Sequence, residues 1–268
     1  MYIKYFSSMV IIDFFASVGR VFISFVQSAG RVALFFAEAL VRLFHKPFYL
    51  RQVLVQFLHI GYFSLPVVGL TAISSGMVLA LQSYTGFSRF SAEGAVATVV
   101  VLSMTRELGP VLAGLMVAGR MGASMAAEIA TMRVTEQLDA LTTLSTNPIK
   151  YLVTPRIIAG FLMLPVLVLI ADIIGVMGGY IVGIYQLGFN PSNYLQQTVK
   201  YLEMKDVMAG LIKASAFGVI ITLMGCYHGY YSGRGAEGVG RATTNAVVSA
   251  SVLILFMNYA LTALLFDK

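Results

Sequence analysis

The stretch IGYFSLPVVGLTAISSGMVLAL, residues 60–81, contains no Asp, Glu, Lys or Arg, and the uncharged run around it extends from residue 52 to residue 88. As a helix rising about 1.5 Å per residue, this stretch is long enough to cross the roughly 30 Å hydrocarbon core of a bilayer. Pro66 is compatible with such a helix as a kink. The stretch therefore predicts a membrane-spanning helix.

Four further apolar segments follow it, at residues 95–119, 157–187, 207–227 and 243–266. The segment 95–119 has Arg106 and Glu107 at its centre and Gly109 and Pro110 just after them. It is either a span with a functional break or a re-entrant hairpin. The segment 157–187 has glycines at intervals of four, which predict a face for close helix packing; they are Gly175, Gly179 and Gly183.

The N-terminal region carries a narrow polar stripe on an otherwise apolar helical pattern. The stripe consists of Asp13, Ser17, Arg20, Ser24, Gln27, Arg31, Glu38 and Arg42. Charges repeated through the bilayer centre would each cost a few kcal/mol, so the pattern favours a helix lying in the membrane interface over a tilted spanning helix. We expect residues 1–50 to form this interfacial helix and its elbow, and residues 51–268 to form the transmembrane domain.

The composition fits this all-α integral membrane protein. Of the 268 residues, 58% are hydrophobic and 11% charged, and the mean hydropathy is +0.84, which excludes an ordinary soluble domain. The net charge of +6 is scattered singly between apolar runs, which argues against nucleic-acid binding. The single cysteine, Cys226, excludes an internal disulfide, and neither it nor the three separated histidines predicts a metal site.

No energy-converting motif is present in the sequence, because it has neither the phosphate loop of ATPases nor a zinc-hydrolase motif. Gly233, Gly235 and Gly238 match the spacing of a dinucleotide-binding loop. No predicted strand precedes them and no acidic residue follows about 20 positions on, so they indicate a flexible turn between two spans. The chain is predicted to bind no cofactor and to catalyse no reaction.

The number of arginine and lysine residues differs between the loops predicted on the two sides of the membrane. An internal N-terminus places in the cytoplasm the larger group, which includes Arg42, Arg51, Arg120, Arg133, Lys150, Arg156, Arg234 and Arg241. The opposite side then holds Arg89, Lys200, Lys205 and Lys268. This bias predicts a cytoplasmic N-terminus and a C-terminus on the opposite side.

Four charged residues lie within the predicted spans. Arg106 and Glu107 form a candidate site, because a charge at bilayer depth persists only where it faces protein or a wet cavity. Adjacent helical residues do not face each other, so this pair is also compatible with a structural role in binding neighbouring helices. Asp172 and Lys213 suggest an ion relay, a mutual structural pair, or snorkelling of the lysine.

A short amphipathic helix is predicted in the segment that follows residue 119. Val134, Leu138 and Leu141 recur at i, i+4 and i+7 among polar residues. The pattern predicts that this helix ends at Asn147 and Pro148. One apolar ridge on a polar helix is suited to docking a partner, although many such helices only cover loops.

These residues resemble the MlaE (YrbE) type permeases of ABC transporters that move phospholipid between membranes. The resemblance covers residues 51–268, whereas the N-terminal helix matches only in character. The matching stretches are 106–111 (RELGPV), 118–120 (AGR), 127–129 (AEI), 135–141 (TEQLDAL), 147–148 (NP), 155–156 (PR), 178–179 (GG), 212–213 (IK) and 241–244 (RATT).

The resemblance implies a homodimeric permease of the inner membrane with about five spans per chain. Its partners would be cytoplasmic ATPase subunits, which use ATP and magnesium, and a lipid-carrying MCE-domain protein on the outer side. The region matching 131–141 would be the coupling helix on the ATPase, with contacts from Arg133, Thr135, Glu136, Gln137, Leu138, Asp139 and Leu141. The lipid cavity would lie between two permease copies, near Arg106 and Glu107.

Met77 and Leu81, one helical turn apart on the first span, are further candidates for contact with lipid chains. The sequence thus predicts the permease subunit of an ATP-driven phospholipid transporter of the type that maintains outer-membrane lipid asymmetry. The alternatives are an ion-coupled secondary transporter that uses Asp172 or Lys213, and a passive membrane scaffold for an MCE lipid carrier. The first alternative lacks support from an internal repeat with matching broken helices.

Overall fold

The computed structural model describes the backbone of residues 2–43, 45, 48–90 and 92–266, and their side chains except at 2–17, 21, 25 and 90. Within these residues the chain is helical throughout, apart from turns, and contains no strand. The predicted all-α membrane fold is therefore confirmed. Contacts divide the chain into two units, residues 1–46 and 47–268; the predicted boundary at residue 50 stays a prediction.

The first unit is one helix, α1 (Tyr2–Leu43). Its part Val18–Leu43 is long and apolar enough to cross a membrane, so its length is compatible with both the interfacial and the spanning orientation. Of the predicted polar stripe, Asp13 and Ser17 lie outside the described side chains. The orientation of α1 in the interface stays a prediction.

The second unit contains ten α-helices among the described residues, and several of them join end to end. They are α2 (Leu50–Ile60), α3 (Leu65–Phe87), α4 (Val96–Ser103), α5 (Gly109–Val117), α6 (Ala123–Val134), α7 (Gln137–Thr143), α8 (Thr154–Tyr185), α9 (Pro191–Tyr201), α10 (Met204–Tyr230) and α11 (Gly235–Phe266). Short π-helical segments link α4 to α5 (Met104–Leu108), link α5 to α6 (Ala118–Gly122) and precede α8 (Ile149–Val153).

Five continuous helical stretches of this unit are long and apolar enough to span a membrane: Leu50–Phe87, Glu93–Val134, Ile149–Tyr185, Met204–Tyr230 and Gly235–Phe266. The prediction of about five spans in this part of the chain is confirmed. The stretch Glu93–Val134 has 42 residues, so it is one long helix with two π segments. The alternative of a re-entrant hairpin at 95–119 is wrong.

Successive stretches run in alternating directions, so the first stretch is parallel to the third and the second is parallel to the fourth. Gly61 approaches Met163 and Gly76 approaches Gly175, so α3 and α8 are parallel. Residues 107 and 122 likewise approach residues 213 and 225, which makes Glu93–Val134 parallel to α10. The connections 135–148 and 231–234 therefore share one end of the bundle, the α7 end. The connection 186–203 and the end of α11 share the other, the α9 end.

Glycine pairs let the long helices touch backbone to backbone. A methyl group at Gly76 would collide with the Gly175 carbonyl, and one at Gly218 would collide with the Gly160 carbonyl. We call these contacts of α3 with α8 and of α8 with α10 the glycine crossings. Small residues at helix interfaces permit this approach within a bilayer. The predicted packing face on α8 is confirmed, because Gly175, Gly179 and Gly183 all meet neighbouring helices.

Candidate lipid-contact and coupling sites

Arg106 lies on the π segment between α4 and α5 and forms an ion pair with Asp206 in the first turn of α10. Its Nε donates to Asp206 Oδ1 at 2.8 Å, and its Nη2 lies 2.7 Å from the same oxygen. Asp206 is buried, with 2% of its side chain exposed, whereas 38% of the Arg106 side chain is exposed. Asp206 therefore pairs with one edge of the guanidinium, while more than a third of the Arg106 side chain stays exposed.

Glu107 contacts α10 and α11 together. Its Oε1 accepts from Lys213 Nζ at 2.7 Å and from Thr262 Oγ1 at 3.0 Å, and its Oε2 accepts from Asn258 Nδ2 at 2.9 Å. The Lys213 side chain is fully buried, so this carboxylate compensates a charge that could not otherwise remain there at low cost. Three helical stretches are thereby joined at one carboxyl group.

The π segment explains how consecutive charges reach different partners. Pro110 has no N–H, so the helix cannot supply a donor in the usual way to the Arg106 carbonyl. Lys213 Nζ donates to that carbonyl at 2.9 Å. The lysine thus satisfies a backbone group and a side chain of the same turn. The predicted break at Gly109–Pro110 is present as a change of helical register, and π segments of this kind are frequent at functional sites.

We call Arg106, Glu107, Asp206, Lys213, Asn258 and Thr262 the ion-pair cluster. Phe266 covers one side of it, with its ring centre 4.8 Å from the Arg106 guanidinium carbon. The cluster thus offers a half-exposed guanidinium beside an aromatic ring near the α9 end. Such a guanidinium can bind an anionic oxygen group through parallel hydrogen bonds.

Sequence reasoning missed four residues that contact Arg106 or Glu107, namely Asp206, Asn258, Thr262 and Phe266. Asp206 and Glu203 exchange hydrogen bonds as a capping box at the start of α10, and their spacing was a readable signal. Asn258 and Thr262 are polar residues one turn apart in an apolar span, which is a second such signal. Phe266 gave no signal, because an aromatic residue at the end of a span is ordinary.

Lys213 pairs with Glu107, and not with Asp172. The suggested mutual pair of Asp172 and Lys213 is therefore wrong in this structure, and so is snorkelling of a fully buried lysine. Asp172 instead lies on α8 with its Oδ1 against Gly109, where a methyl group would collide with it. This oxygen accepts no hydrogen bond from the described residues.

Met77 and Leu81 lie on α3, both partly buried. The hydrogen bonds of Arg106 and Glu107 run to α10 and α11, so the structure does not join the two pairs of candidates through a direct polar contact. The role of Met77 and Leu81 in contacting lipid chains stays a prediction.

The predicted coupling region forms a helix–turn–helix at the α7 end. Arg133 lies in the last turn of α6, Thr135 and Glu136 form the turn, and α7 begins at Gln137. Glu136 has φ 58°, a left-handed conformation that is uncommon outside glycine. Leu138 is buried, with 2% exposed. Asp139 is exposed and Leu141 is partly buried.

Two boundaries predicted for this region are wrong. The helix ends at Thr143 and not at Asn147–Pro148, because Ser145 adopts φ 56° and Thr146 N–H donates to the Leu141 carbonyl. Arg120 and Arg156 lie within helical stretches and not in a loop. Arg156 is buried and pairs with Glu128 at 2.7 Å, which ties α8 to α6 just before the turn.

The glycines at 233, 235 and 238 lie in the turn between α10 and α11 and in the first turn of α11. Gly235 has φ 75°, and a methyl group at Gly238 would collide with the Gly233 carbonyl. The interpretation of this motif as a turn between two spans is confirmed, while its predicted flexibility stays a prediction.

Comparison with known proteins agrees with this architecture. The family model described as Permease MlaE matches residues 53–264. A probable ABC transporter permease of Rickettsia typhi is 66% identical over 228 residues, which cover 85% of this chain and 88% of the relative.

Two more distant relatives carry names that refer to lipids. The intermembrane phospholipid transport system permease protein MlaE of Haemophilus influenzae is 38% identical, over 80% of this chain and 83% of its own. The chloroplastic protein TRIGALACTOSYLDIACYLGLYCEROL 1 of Arabidopsis thaliana is 34% identical, over 86% of this chain and 66% of its own. The chain is thus a multi-pass membrane protein that belongs to the MlaE permease family of ABC transporter permeases.

Proposed function

We propose that this chain is the non-catalytic permease subunit of an ATP-driven transporter that moves phospholipid between membranes, in a system that maintains outer-membrane lipid asymmetry. The name of the Haemophilus relative supports the substrate class. The long apolar helices support placement in the inner membrane as a multi-pass protein.

The observation that carries the proposal is the half-exposed Arg106 in the ion-pair cluster. Asp206 fixes one edge of the guanidinium through two contacts on one oxygen. The guanidinium edge that Asp206 does not occupy is left for an anionic oxygen group. Arginine binds phosphate well through such an edge, by parallel hydrogen bonds. Apolar side chains on the flanking spans suit acyl chains, with Met77 and Leu81 as candidates. A phospholipid combines both chemistries.

Energy enters, in this proposal, at the α7 end. Partner ATPase subunits hydrolyse ATP with magnesium and dock on the surface formed by Arg133, Thr135, Glu136, Gln137, Asp139 and Leu141, while buried Leu138 anchors α7 to the bundle. The Glu128–Arg156 ion pair links α6 to α8 beside this surface. A movement of the turn would therefore act on two spans together. Lipid must bind the resulting states with different free energies for transport to occur.

The assembly would contain a second copy of the chain, with lipid held between the copies, and an MCE-domain lipid carrier at the α9 end. The α7 end would face the cytoplasm, as would the N-terminus, and the C-terminus would lie on the opposite side. The last two residues, 267 and 268, lie outside the described residues, so the C-terminal placement depends on the direction of α11.

The proposal is tested by removing the cluster's anion contact without leaving a buried charge unpaired. The double variant Arg106→Gln with Asp206→Asn should lose most lipid stimulation of ATP hydrolysis in the assembled complex while the subunits stay associated. The matched control is Arg241→Gln with Glu237→Gln, which removes an exposed pair on α11 and should leave stimulation unchanged. Full stimulation and lipid transfer in the first variant would refute the site.

The alternative functions separate in the same reconstituted system. An ion-coupled secondary transporter would move lipid under an ion gradient without ATP, and a passive scaffold would move it equally with and without ATP. We expect transfer only with ATP and the partner ATPase. The pairing of Lys213 with Glu107 gives the ion-relay alternative no additional support.

A further inference from the structure

Arg120 lies inside a membrane-spanning stretch and has no anionic partner among the described residues. Four arginines and lysines of the second unit lie more than six residues from both ends of such a stretch: Arg106, Arg120, Arg156 and Lys213. Each of the other three has a carboxylate oxygen at 2.7 Å. Arg120 donates only to neutral acceptors, although an unpaired charge in a span is costly.

One nitrogen of the Arg120 guanidinium makes all of its hydrogen bonds to described residues. Nη1 donates to the His59 carbonyl at 3.2 Å, to the Ser64 hydroxyl at 2.8 Å and to the Met121 sulfur at 3.3 Å. These contacts satisfy polar groups at the break between α2 and α3, which contains one turn of 3-10 helix (Tyr62–Ser64). This structural role leaves Nε and Nη2 without a partner among the described residues.

Nε and Nη2 form one edge of a guanidinium and bind an oxygen group through parallel hydrogen bonds. In Arg106 the same two nitrogens bind Asp206 Oδ1, so the chain itself shows how this edge takes an anion. In Arg120 no described residue occupies the edge, and neither nitrogen is buried. The free edge is therefore accessible and selects an anionic oxygen group.

The break beside Arg120 lies on the outer surface of the second unit. The Phe63 ring centre is 6.0 Å from the Arg120 guanidinium carbon. Phe63 is 50% exposed and the adjacent Tyr62 is 65% exposed. Leu54 and Leu58, eight and four residues before Tyr62, continue this exposed face along α2. Exposed apolar side chains of a spanning stretch face acyl chains, so the ligand reaches Arg120 from the bilayer.

Arg120 lies in the half of the bundle nearest the α7 end. Gly122 approaches both Ile221 and Gly225 of α10, and α10 ends at Tyr230. Arg120 is therefore about 14 Å from this end of α10, which rises about 40 Å in total. An arginine below the headgroup level draws phosphate groups and water inward, because local thinning of the bilayer costs less than an unsolvated charge. The nearest headgroups belong to the leaflet at the α7 end.

From these observations we propose that Arg120 binds the phosphate group of a phospholipid from the leaflet at the α7 end, through the guanidinium edge formed by Nε and Nη2. The lipid lies on the outer surface at the break between α2 and α3, with its acyl chains along the exposed apolar face. This site is separate from Arg106, which is 14 residues earlier, about 21 Å along the same helical stretch. It goes beyond the proposed transport function and would stand if that function were refuted.

The chain has no tryptophan, so one introduced indole reports on its own surroundings. The test uses the full-length chain with Phe63→Trp in maltoside micelles and a buffer without phosphate. It is titrated with brominated phosphatidylglycerol and with brominated diacylglycerol, which has the same acyl chains and no phosphate group. Bromine close to the indole quenches its fluorescence. The control is Phe256→Trp on α11, which is also an exposed aromatic position.

For Phe63→Trp, phosphatidylglycerol should reach half-maximal quenching at about one tenth of the diacylglycerol concentration, because hydrogen bonds to a charged group account for about this factor. The two lipids should quench Phe256→Trp equally. Adding Arg120→Lys should remove most of the preference, since lysine keeps the charge but has no planar edge. Adding Arg51→Lys, at an exposed arginine near the start of α2, should retain the preference.

Ser64→Ala separates ligand binding from the structural role of Arg120. This variant removes one acceptor of Nη1 and leaves the Nε–Nη2 edge intact, so it should lower the unfolding midpoint and keep the lipid preference. If Arg120 only stabilised the break between α2 and α3, Arg120→Lys would also lower the midpoint without changing the preference, and the proposal would be refuted.

Equal quenching of Phe63→Trp by both lipids, or no quenching by either, would overturn the proposal without any change at Arg120. Tyr62→Trp provides a second reporter on the adjacent exposed ring if Phe63→Trp does not fold. The same lipid preference at Phe256→Trp would also overturn it, because the effect would then reflect partitioning into the micelle. Inorganic phosphate should not compete; if it displaced phosphatidylglycerol at an equal concentration, the ligand would be free phosphate and not a lipid.

Discussion

α10 is held in two different ways along its length. Near its start, Asp206 and Lys213 bind the π segment through ion pairs and hydrogen bonds, whereas farther along, Gly218 meets Gly160 of α8 backbone to backbone. The glycine crossing contains no charge and joins two helices closely. Close packing in this bundle therefore does not require charges, and the costly buried charges of the ion-pair cluster have a different purpose.

The contrast also concerns exposure. The four glycines at the glycine crossings are all buried, while 38% of the Arg106 side chain is exposed. Asp206 contacts only Nε and Nη2 of Arg106, so guanidinium donors remain for a further anion. This difference is the physical reason to assign ligand contact to the cluster and scaffolding to the crossings. Four changes, in decreasing order of expected effect on stability, test this assignment.

The largest effect is expected from Lys213→Met, which leaves Glu107 without its cation. Breaking a fully buried ion pair costs about 3–5 kcal/mol, and partial exposure of Glu107 places this pair near the low end. The free energy of unfolding in mixed micelles measures it, with the exposed Lys205→Met on the same helix as control. Adding Glu107→Gln should recover part of the loss. An unchanged unfolding midpoint in Lys213→Met would show that the pair does not hold α10.

The next effect is expected from Gly76→Ala, whose methyl group would collide with the Gly175 carbonyl. Overpacking of this kind costs about 1–3 kcal/mol, because α3 and α8 must move apart. Gly86→Ala on the same helix is the control, since nothing lies within 4 Å of its added methyl group, and it should be neutral or slightly stabilising. Equal unfolding free energies for the two variants would show that the close contact of Gly76 with Gly175 does not stabilise the packing of α3 on α8.

A smaller effect is expected from Arg106→Lys, which keeps the charge but loses the planar fork that holds Asp206. We expect a loss of about 1 kcal/mol in unfolding free energy, with a disproportionate loss of lipid-stimulated ATP hydrolysis. Arg241→Lys, in the exposed pair with Glu237, should change both quantities little. If Arg106→Lys lowered stability and stimulation only in proportion, the assignment of ligand contact to the cluster would fail.

The smallest effect is expected at the α7 turn, outside both regions. Glu136→Gly should raise the unfolding free energy by up to about 1 kcal/mol, because glycine adopts φ 58° without the strain of a Cβ atom. Glu136→Val should lower it, since β-branched residues tolerate that region poorly. The same titration in mixed micelles measures both. A stabilising valine would contradict the left-handed turn.

The α7 turn and the ion-pair cluster could each be predicted only in part from the sequence. The pattern of Val134, Leu138 and Leu141 predicted one short helix, but Val134 ends α6 and only Leu138 and Leu141 lie on α7. The difference arises because Glu136 and Ser145 adopt positive φ without being glycine. No sequence pattern favours that conformation at Glu or Ser strongly enough. Arg106 and Glu107 are predicted from their cost in an apolar span, while their partners, 100 to 155 residues later, could not be inferred from local spacing.

The number of long apolar helices, the glycine face on α8 and the presence of costly charges in three spans could be predicted from the sequence alone. These features follow from composition and periodicity, which are local. Only the packing of the helices shows that Lys213 compensates Glu107 and not Asp172, and that Asp172 Oδ1 is left against Gly109 without a hydrogen-bond partner among the described residues. The choice between two carboxyl groups depends on helix direction and register, which arise from contacts between residues far apart in the sequence, such as the glycine crossings.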